Sequence, residues 1–334
     1  MTGFFINLLN WINRLVGNYG WSIVLFTLLI RMVLLPLDIK SKKSMRAMSK
    51  IQPKLQALQK KYANDKEKLN QKTMELYRKE HVSPTSGCLP MLISLPILWI
   101  MFTAMRTVGN EYTIRMILDM KANHTLPDFQ SWLWIKNVFQ PDSFGATILP
   151  AVNSTLAMIR PSGASSVLTE QNISAAVEYL KSTDYAALAA QVAPASAFAK
   201  VSLNLLIARP TLLLPNSLSN LFTYANGLFI LPLLAGGSQL LMTQLMNGKK
   251  TPEQKAQEAA QKAQEQTNPM NSPIMKWFFP LFSVWICATS NAAFSIYWMA
   301  ANVIQIAQQL AVNWWFDRQD AKEAATQNLD NPNS

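Results

Sequence analysis

The 334 residues are 50% hydrophobic and only 15% charged, well below the roughly 25% charge of soluble globular chains. The apolar residues gather into long runs with the charges between them, and 10 Trp, 15 Phe and 16 Met suit a chain that packs in lipid and meets headgroups with aromatic rings. Two Cys and two His, with no CxxC, HExxH, GxxxxGK(S/T) or strand-linked GxGxxG pattern, argue against a zinc or iron–sulfur centre and against nucleotide hydrolysis, so neither an enzyme nor a cofactor is expected.

Residues 1–18 place Phe4, Phe5, Leu8, Leu9, Ile12 and Leu15 at helical spacing, with Asn7, Asn10, Asn13 and Arg14 filling the other face. This predicts an amphipathic helix lying in the membrane interface. A cleaved signal peptide fits less well, because no positive charge precedes the apolar stretch. Residues 19–37 form the first predicted span, nearly 20 residues, enough for a hydrocarbon core of about 30 Å. Residues 38–84 are polar and lysine-rich, with 13 of the 30 Lys and Arg between Lys40 and Lys79. Met45, Met48, Ile51, Leu55 and Leu58 mark one amphipathic helix, Asn64-Asp65 a turn, and Leu69, Thr73, Leu76 and Tyr77 a second helix. An antiparallel helical hairpin is expected there.

The second span is placed at 85–109, with Arg106 near its far end, where it can snorkel. Residues 110–226 hold seven basic and seven acidic residues and contain loop-like stretches such as Pro161–Ser166. Val201–Ala208 is apolar but far too short to span. The third span is placed at 227–247, a polar loop at 248–273, the fourth and fifth spans at 274–288 and 292–315, and a tail at 316–334. Proline within or beside the spans (Pro36, Pro90, Pro96, Pro232, Pro280) predicts kinked helices. The expected fold is therefore an all-α polytopic membrane protein.

The basic residues of 38–84 and four more in 248–273 place those segments inside, and the uncharged 289–291 turn and the neutral 110–226 region outside. Five spans with the N-terminus outside and the C-terminus in the cytoplasm follow. Cys88 and Cys287 then lie at opposite faces, which excludes a disulfide between them.

Arg31 sits about eleven residues into the first span, where insertion scales charge roughly 2.5–3.5 kcal/mol. Met32–Leu37 separate it from the inner face, and no Asp or Glu lies inside any span. A salt bridge or snorkelling is the bland account. The functional one is a cation facing a water-filled cavity, with Thr27 one turn earlier on the same face. Ser94, Ser238, Gln239, Asn302 and Gln305 offer polar atoms to such a cavity, although each alone is more often an interhelical hydrogen bond. Trp298 and Tyr297, taken singly, read as packing or belt aromatics.

Several stretches carry a resemblance: WSIVLFTLLIRMVLLPL, the hairpin with its QPK, GCLPMLISLPIL opening the second span, WLWIKNVFQPDSFG, ILPLLAGGSQLL, and MKWFFPLFSVWICATSNAAFSIYWMAANVIQIAQQL. Together they resemble the YidC/Oxa/Alb membrane protein insertases over all five spans and the hairpin, about two thirds of the chain. The resemblance implies five transmembrane helices around a hydrophilic groove open to the cytoplasm and the lipid. Carried over to this sequence, the groove arginine is Arg31, with Thr27 beside it, Ser94 where many relatives have Gln, and Trp298 after Tyr297. Gln239 stands one turn before Met242, the position where several relatives carry Gln, and Asn302 completes the candidate substrate-binding set. The chain departs from the family in an insertion at roughly 150–225, in the turn Ser290–Phe294, in a tail with two basic and four acidic residues, and in having only the amphipathic helix before its first span.

The function implied is insertion and folding of client membrane proteins without a chemical step. Implied partners are nascent membrane proteins, anionic lipids at the basic hairpin, and a Sec translocon, targeting factors or the ribosome; direct nucleic-acid binding is not expected. The competing reading is a secondary transporter or channel for an anionic substrate, against which stand the lack of an internal repeat of the spans and the single mid-span charge.

Overall fold

The computed structural model describes residues 2–81, 89–150, 159–163, 165–202, 211–246 and 273–330. It is mostly helical. Helix α1 is Thr2–Val16, α2 Tyr19–Lys61, α3 Lys66–Lys79 and α4 Leu89–Asn123; α5 (Glu170–Leu180) and α6 (Thr183–Val192) follow. A strand pair β1 (Phe198–Ser202) and β2 (Thr211–Pro215) leads to α7 (Leu218–Tyr224), α8 (Ile230–Met246), α9 (Pro273–Thr289) and α10 (Ala292–Asp330). The chain divides into two compact units: Met1–Leu29 with Phe102–Leu310, and Ile30–Met101 with Ala311–Ser334.

Local sequence explains most boundaries. Gly17, at φ 75°, takes the left-handed conformation that ends α1, its N–H bonding Asn13 O at 2.8 Å. Asn18 then caps α2, its Oδ1 accepting from Trp21 N–H at 3.2 Å. Asp65, Thr169, Ser182, Ser217 and Asn291 cap α3, α5, α6, α7 and α10 in the same way. The turn expected at Asn64-Asp65 thus closes a hairpin between α2 and α3. By length and apolarity, Tyr19–Met48 alone among the described helices is able to cross a membrane; the apolar helices Ile230–Leu245 and Trp277–Thr289 are shorter.

Two features go beyond these expectations. The first and second predicted spans are parts of longer helices, since α2 runs on to Lys61 and α4 to Asn123. Residues 110–226 are largely structured, and the all-α description gains a two-stranded antiparallel sheet pairing Phe198 with Pro215 and Ser202 with Thr211. The physical reason is a core. The extension of α4 presents Ile114, Ile117 and Met120 to Leu149, Ile159, Leu168, Ala176, Tyr179, Leu180 and Tyr185, all buried. Tyr179 donates to Met120 O at 3.2 Å and Tyr185 to Pro150 O at 2.6 Å, so both buried hydroxyls are satisfied. Burial pushes both phenols above their ordinary range.

In the other unit, Ile51 and Leu55 of α2 pack with Leu76 and Tyr77 of α3. Helix α3 has no fully buried residue. Lys54 and Glu80 pair at 2.6 Å, and the tail end of α10 joins the same unit through Arg46 to Asp317 at 2.8 Å and Arg46 over the Phe316 ring.

Candidate functional site

Arg31 lies on α2, half-buried. Trp21, Leu25, Leu29 and Val33 recur every four residues and are 53%, 41%, 41% and 77% exposed, which makes them one outward apolar stripe. A residue two positions from Leu29 and Val33 is turned about 200° from both at 3.6 residues per turn. Arg31 is thus turned from Leu29 and Val33, but the exposed Leu28 and Met32 stand only about 60° and 100° from it, which puts it at the edge of the exposed face. Thr27, one turn earlier on the continuous helix, is buried, and its Oγ1 donates to Ile23 O at 2.6 Å.

Asp38 adds a partner that the sequence reading missed. It stands one residue beyond the predicted end of the first span and feels the charges of both Arg31 and Lys42. Spacings of seven and four residues keep all three on one helix face. The signal in the sequence is the helical spacing of seven from Arg31, which carries one position past Leu37.

Of the other candidates, Ser238 and Asn302 are brought together. Asn302 Nδ2 donates to Ser238 Oγ at 3.0 Å, and Ser238 Oγ donates to Ala235 O at 3.0 Å, tying α10 to α8. These two act as an interhelical hydrogen bond. Gln239 is half-buried on α8, and its carbonyl accepts from Thr243 Oγ1 at 2.9 Å. Trp298 packs on Phe294 with ring centroids 5.5 Å apart, and its buried Nε1 has no acceptor among the described residues. Tyr297 and Met242 are buried. Ser94 is in the backbone of α4, but its side chain lies outside the described residues, as does Cys88. Cys287 is a buried free thiol.

A second constellation sits in the QPD stretch and has a positioning role. Asp142 is fully buried, and its carboxylate accepts from the N–H groups of Leu228, Phe229 and Leu231 at 2.8, 3.1 and 2.6 Å and from Trp134 Nε1 at 3.3 Å. It thereby supplies α8 with an N-terminal acceptor from far back in the chain. Gly227 permits the approach: a Cβ there would fall 2.0 Å from Asp142 Oδ1. Asn226, also buried, donates to Asn137 O and Pro141 O and accepts from Asn137 N–H. The same loop accepts from Asn18 Nδ2 through Ser131 O at 2.8 Å. It also accepts from Ala292 and Ala293 N–H through Gln140 and Val138. The N-termini of α2, α8 and α10 thus meet at one hydrogen-bonded node. Farther along α8, Gly236 lets α9 come close, since a Cβ would meet Val284 Cγ2 at 2.4 Å.

The profile of the family described as 60Kd inner membrane protein matches residues 11–193 and 198–319. The chain is 41% identical over 153 residues to a membrane protein insertase YidC of Fusobacterium nucleatum subsp. nucleatum, covering 46% of this chain and 65% of that one. It is 49% identical over 100 residues to the protein of that name from Caldanaerobacter subterraneus subsp. tengcongensis, covering 30% of this chain and 48% of the relative. With that of Bordetella petrii it shares 38% over 146 residues, 36% of this chain and 26% of the relative. The matched region is thus less than two thirds of each of these relatives. With the profile covering most of its length, the chain belongs to the 60Kd inner membrane protein family.

Proposed function

We propose that this chain is a membrane protein insertase and folding chaperone of the cell membrane. It acts without a chemical step, moving apolar segments of nascent membrane proteins from the cytoplasm into lipid. The names of its relatives support this reading. The observation that carries it is the position of Arg31, a half-buried guanidinium at the edge of the exposed face of an apolar helix. A cation within a span belongs against water or polar groups. In the proposed groove Arg31 attracts acidic residues in the outgoing part of a client, with Thr27, Ser94, Gln239, Trp298 and Asn302 as the polar and aromatic lining. Trp298 Nε1, a buried donor without an acceptor among the described residues, supports a polar guest beside it.

The proposed topology has five spans, N-terminus outside and C-terminus in the cytoplasm. Two observations support it. The N-termini of α2, α8 and α10 share one node, and the basic residues gather on the hairpin. That hairpin is the proposed entry platform for client chains, anionic headgroups, targeting factors or the ribosome. A Sec translocon is the further partner proposed.

The test is photocrosslinking from Thr27, Gln239 and Trp298 to a stalled nascent single-span protein. Crosslinks at these positions, and none at Val33, are expected. Crosslinks restricted to Val33 contradict the groove. Uptake of a small anion, without crosslinks, returns the transporter reading.

A further inference from the structure

We propose that α7 is a membrane-interface anchor whose Leu218–Phe222 face seats in the headgroup–acyl boundary of the outer leaflet; this rests on the reading of α8 as a span. Leu218 and Phe222 lie one turn apart and are 76% and 63% exposed. The opposite side of the helix is already engaged. Asn220 Nδ2 donates to Ala197 O, and just before the helix Asn216 Nδ2 donates to Ser196 O at 2.6 Å. The apolar pair is therefore the outward face of a helix held by its other side.

Three observations name lipid as the occupant. First, Thr211–Met246 contains no Asp, Glu, Lys, Arg or His, although α8 itself takes only 17 residues of it. An uncharged stretch running well past the end of a span is the pattern of a segment that remains in contact with the bilayer. Second, α7 ends at Tyr224 and α8 begins at Ile230, so the apolar face is continuous in the chain with the apolar helix. Third, α7 is held at the level of the start of α8. Lys136 Nζ donates to Phe222 O at 2.8 Å and to Thr223 O, occupying the C-terminal carbonyls of α7, and Lys136 N–H donates to Asn226 O. Burial lowers the pKa of that ammonium. The loop carrying Lys136 also carries Asp142, which caps α8. One loop therefore fixes both helices, and the side chains presented beside the start of the span are Leu and Phe.

The experiment uses the full chain with Cys88→Ser and Cys287→Ala, reconstituted in phosphatidylcholine–phosphatidylglycerol nanodiscs. Single nitroxides are attached at Leu218→Cys, Phe222→Cys, Ser219→Cys and Leu241→Cys, and accessibility to oxygen and to a water-soluble nickel chelate is compared by power saturation. The expected result is the deepest value at 241, an aqueous value at 219, and 218 and 222 shifted from 219 toward 241. Labels at 218 and 222 as open to nickel as that at 219 overturn the anchor while leaving the span intact. Labels at 218 and 222 shielded from both reagents mean that protein covers the face, and also overturn it. An aqueous value at 241 overturns the membrane reading of α8, and the anchor with it.

Discussion

Asp142 accepts three backbone N–H groups at the start of α8 while fully buried. Asp142→Ala strands those donors. Losing the cap and its charge-assisted bonds should cost roughly 2 kcal/mol or more, read as a lower thermal midpoint in detergent and faster exchange of the first α8 amides. Asp142→Asn keeps one acceptor oxygen and should fall between Ala and the parent. Asp38 matters differently, because it shares a face with Arg31 and acts on it electrostatically. Two charges seven helical residues apart are about 10 Å distant along the axis. At effective dielectrics between a protein surface and water, their coupling is about 0.5–1.5 kcal/mol. Asp38→Asn should therefore raise insertion of clients with acidic outgoing tails about two- to tenfold in rate, leaving neutral clients unchanged. Insertion rates of matched acidic and neutral clients are the measurement.

At the scale of elements, the hairpin and the 150–225 region belong to different compact units. Helix α3 has no buried residue, and a small cluster of Ala47, Met48, Ile51 and Leu55 with Leu76 and Tyr77 joins it to α2. Its amides should exchange faster than those of residues 19–37. The Lys54 hydrogen bond to Glu80 holds that carboxyl below its ordinary range. A depressed carboxylate pKa stabilises the fold above the unfolded value, and that contribution vanishes as pH falls through the folded one. The exchange of α3 amides, after correction for intrinsic rates, should therefore hold steady from neutral pH to about 5 and quicken below about 4. The insertion has its own core on the α4 extension, where Ile114, Ile117 and Met120 meet Tyr179 and Tyr185. Deleting Asn153–Tyr224 with a flexible linker should retain insertion of a single-span protein but lower the thermal midpoint, because those α4 side chains lose their cover.

These elements also show what a sequence displays. The hairpin was legible because Asn64-Asp65 breaks two amphipathic periodicities and caps the second, all within a few residues. Arg31 was legible because a charge in an apolar run stands out whatever surrounds it. The cap of α8 was not, because Asp142 and Leu231 are distant in the chain and only the fold joins them. The packing of residues 159–192 was not legible for a related reason. Their stabilising partners are on α4, so no local periodicity announced the contact. Ser238 and Asn302, both candidate polar lining, hydrogen-bond each other across two helices, a pairing that periodicity does not specify.

The whole molecule, a chain of the 60Kd inner membrane protein family, holds a node where three helices begin, a basic hairpin, and a half-buried guanidinium within an apolar helix. On the proposed function, Arg31 acts on clients through charge. Lysine preserves the charge and loses the planar fork, so Arg31→Lys should keep much of the activity, while Arg31→Ala and Arg31→Glu should not. The attraction of one charge pair in a partly wet groove is on the order of one to a few kcal/mol, enough to change rates about tenfold per 1.4 kcal/mol. The direct measurement is in vivo insertion of matched clients bearing zero, one or two acidic residues in the translocated tail, in cells carrying each Arg31 variant. The Arg31→Ala defect should deepen with each acidic residue and be slight for the neutral, strongly apolar client. An equal defect across the series would contradict the claim and leave Arg31 as a residue that merely props the site open.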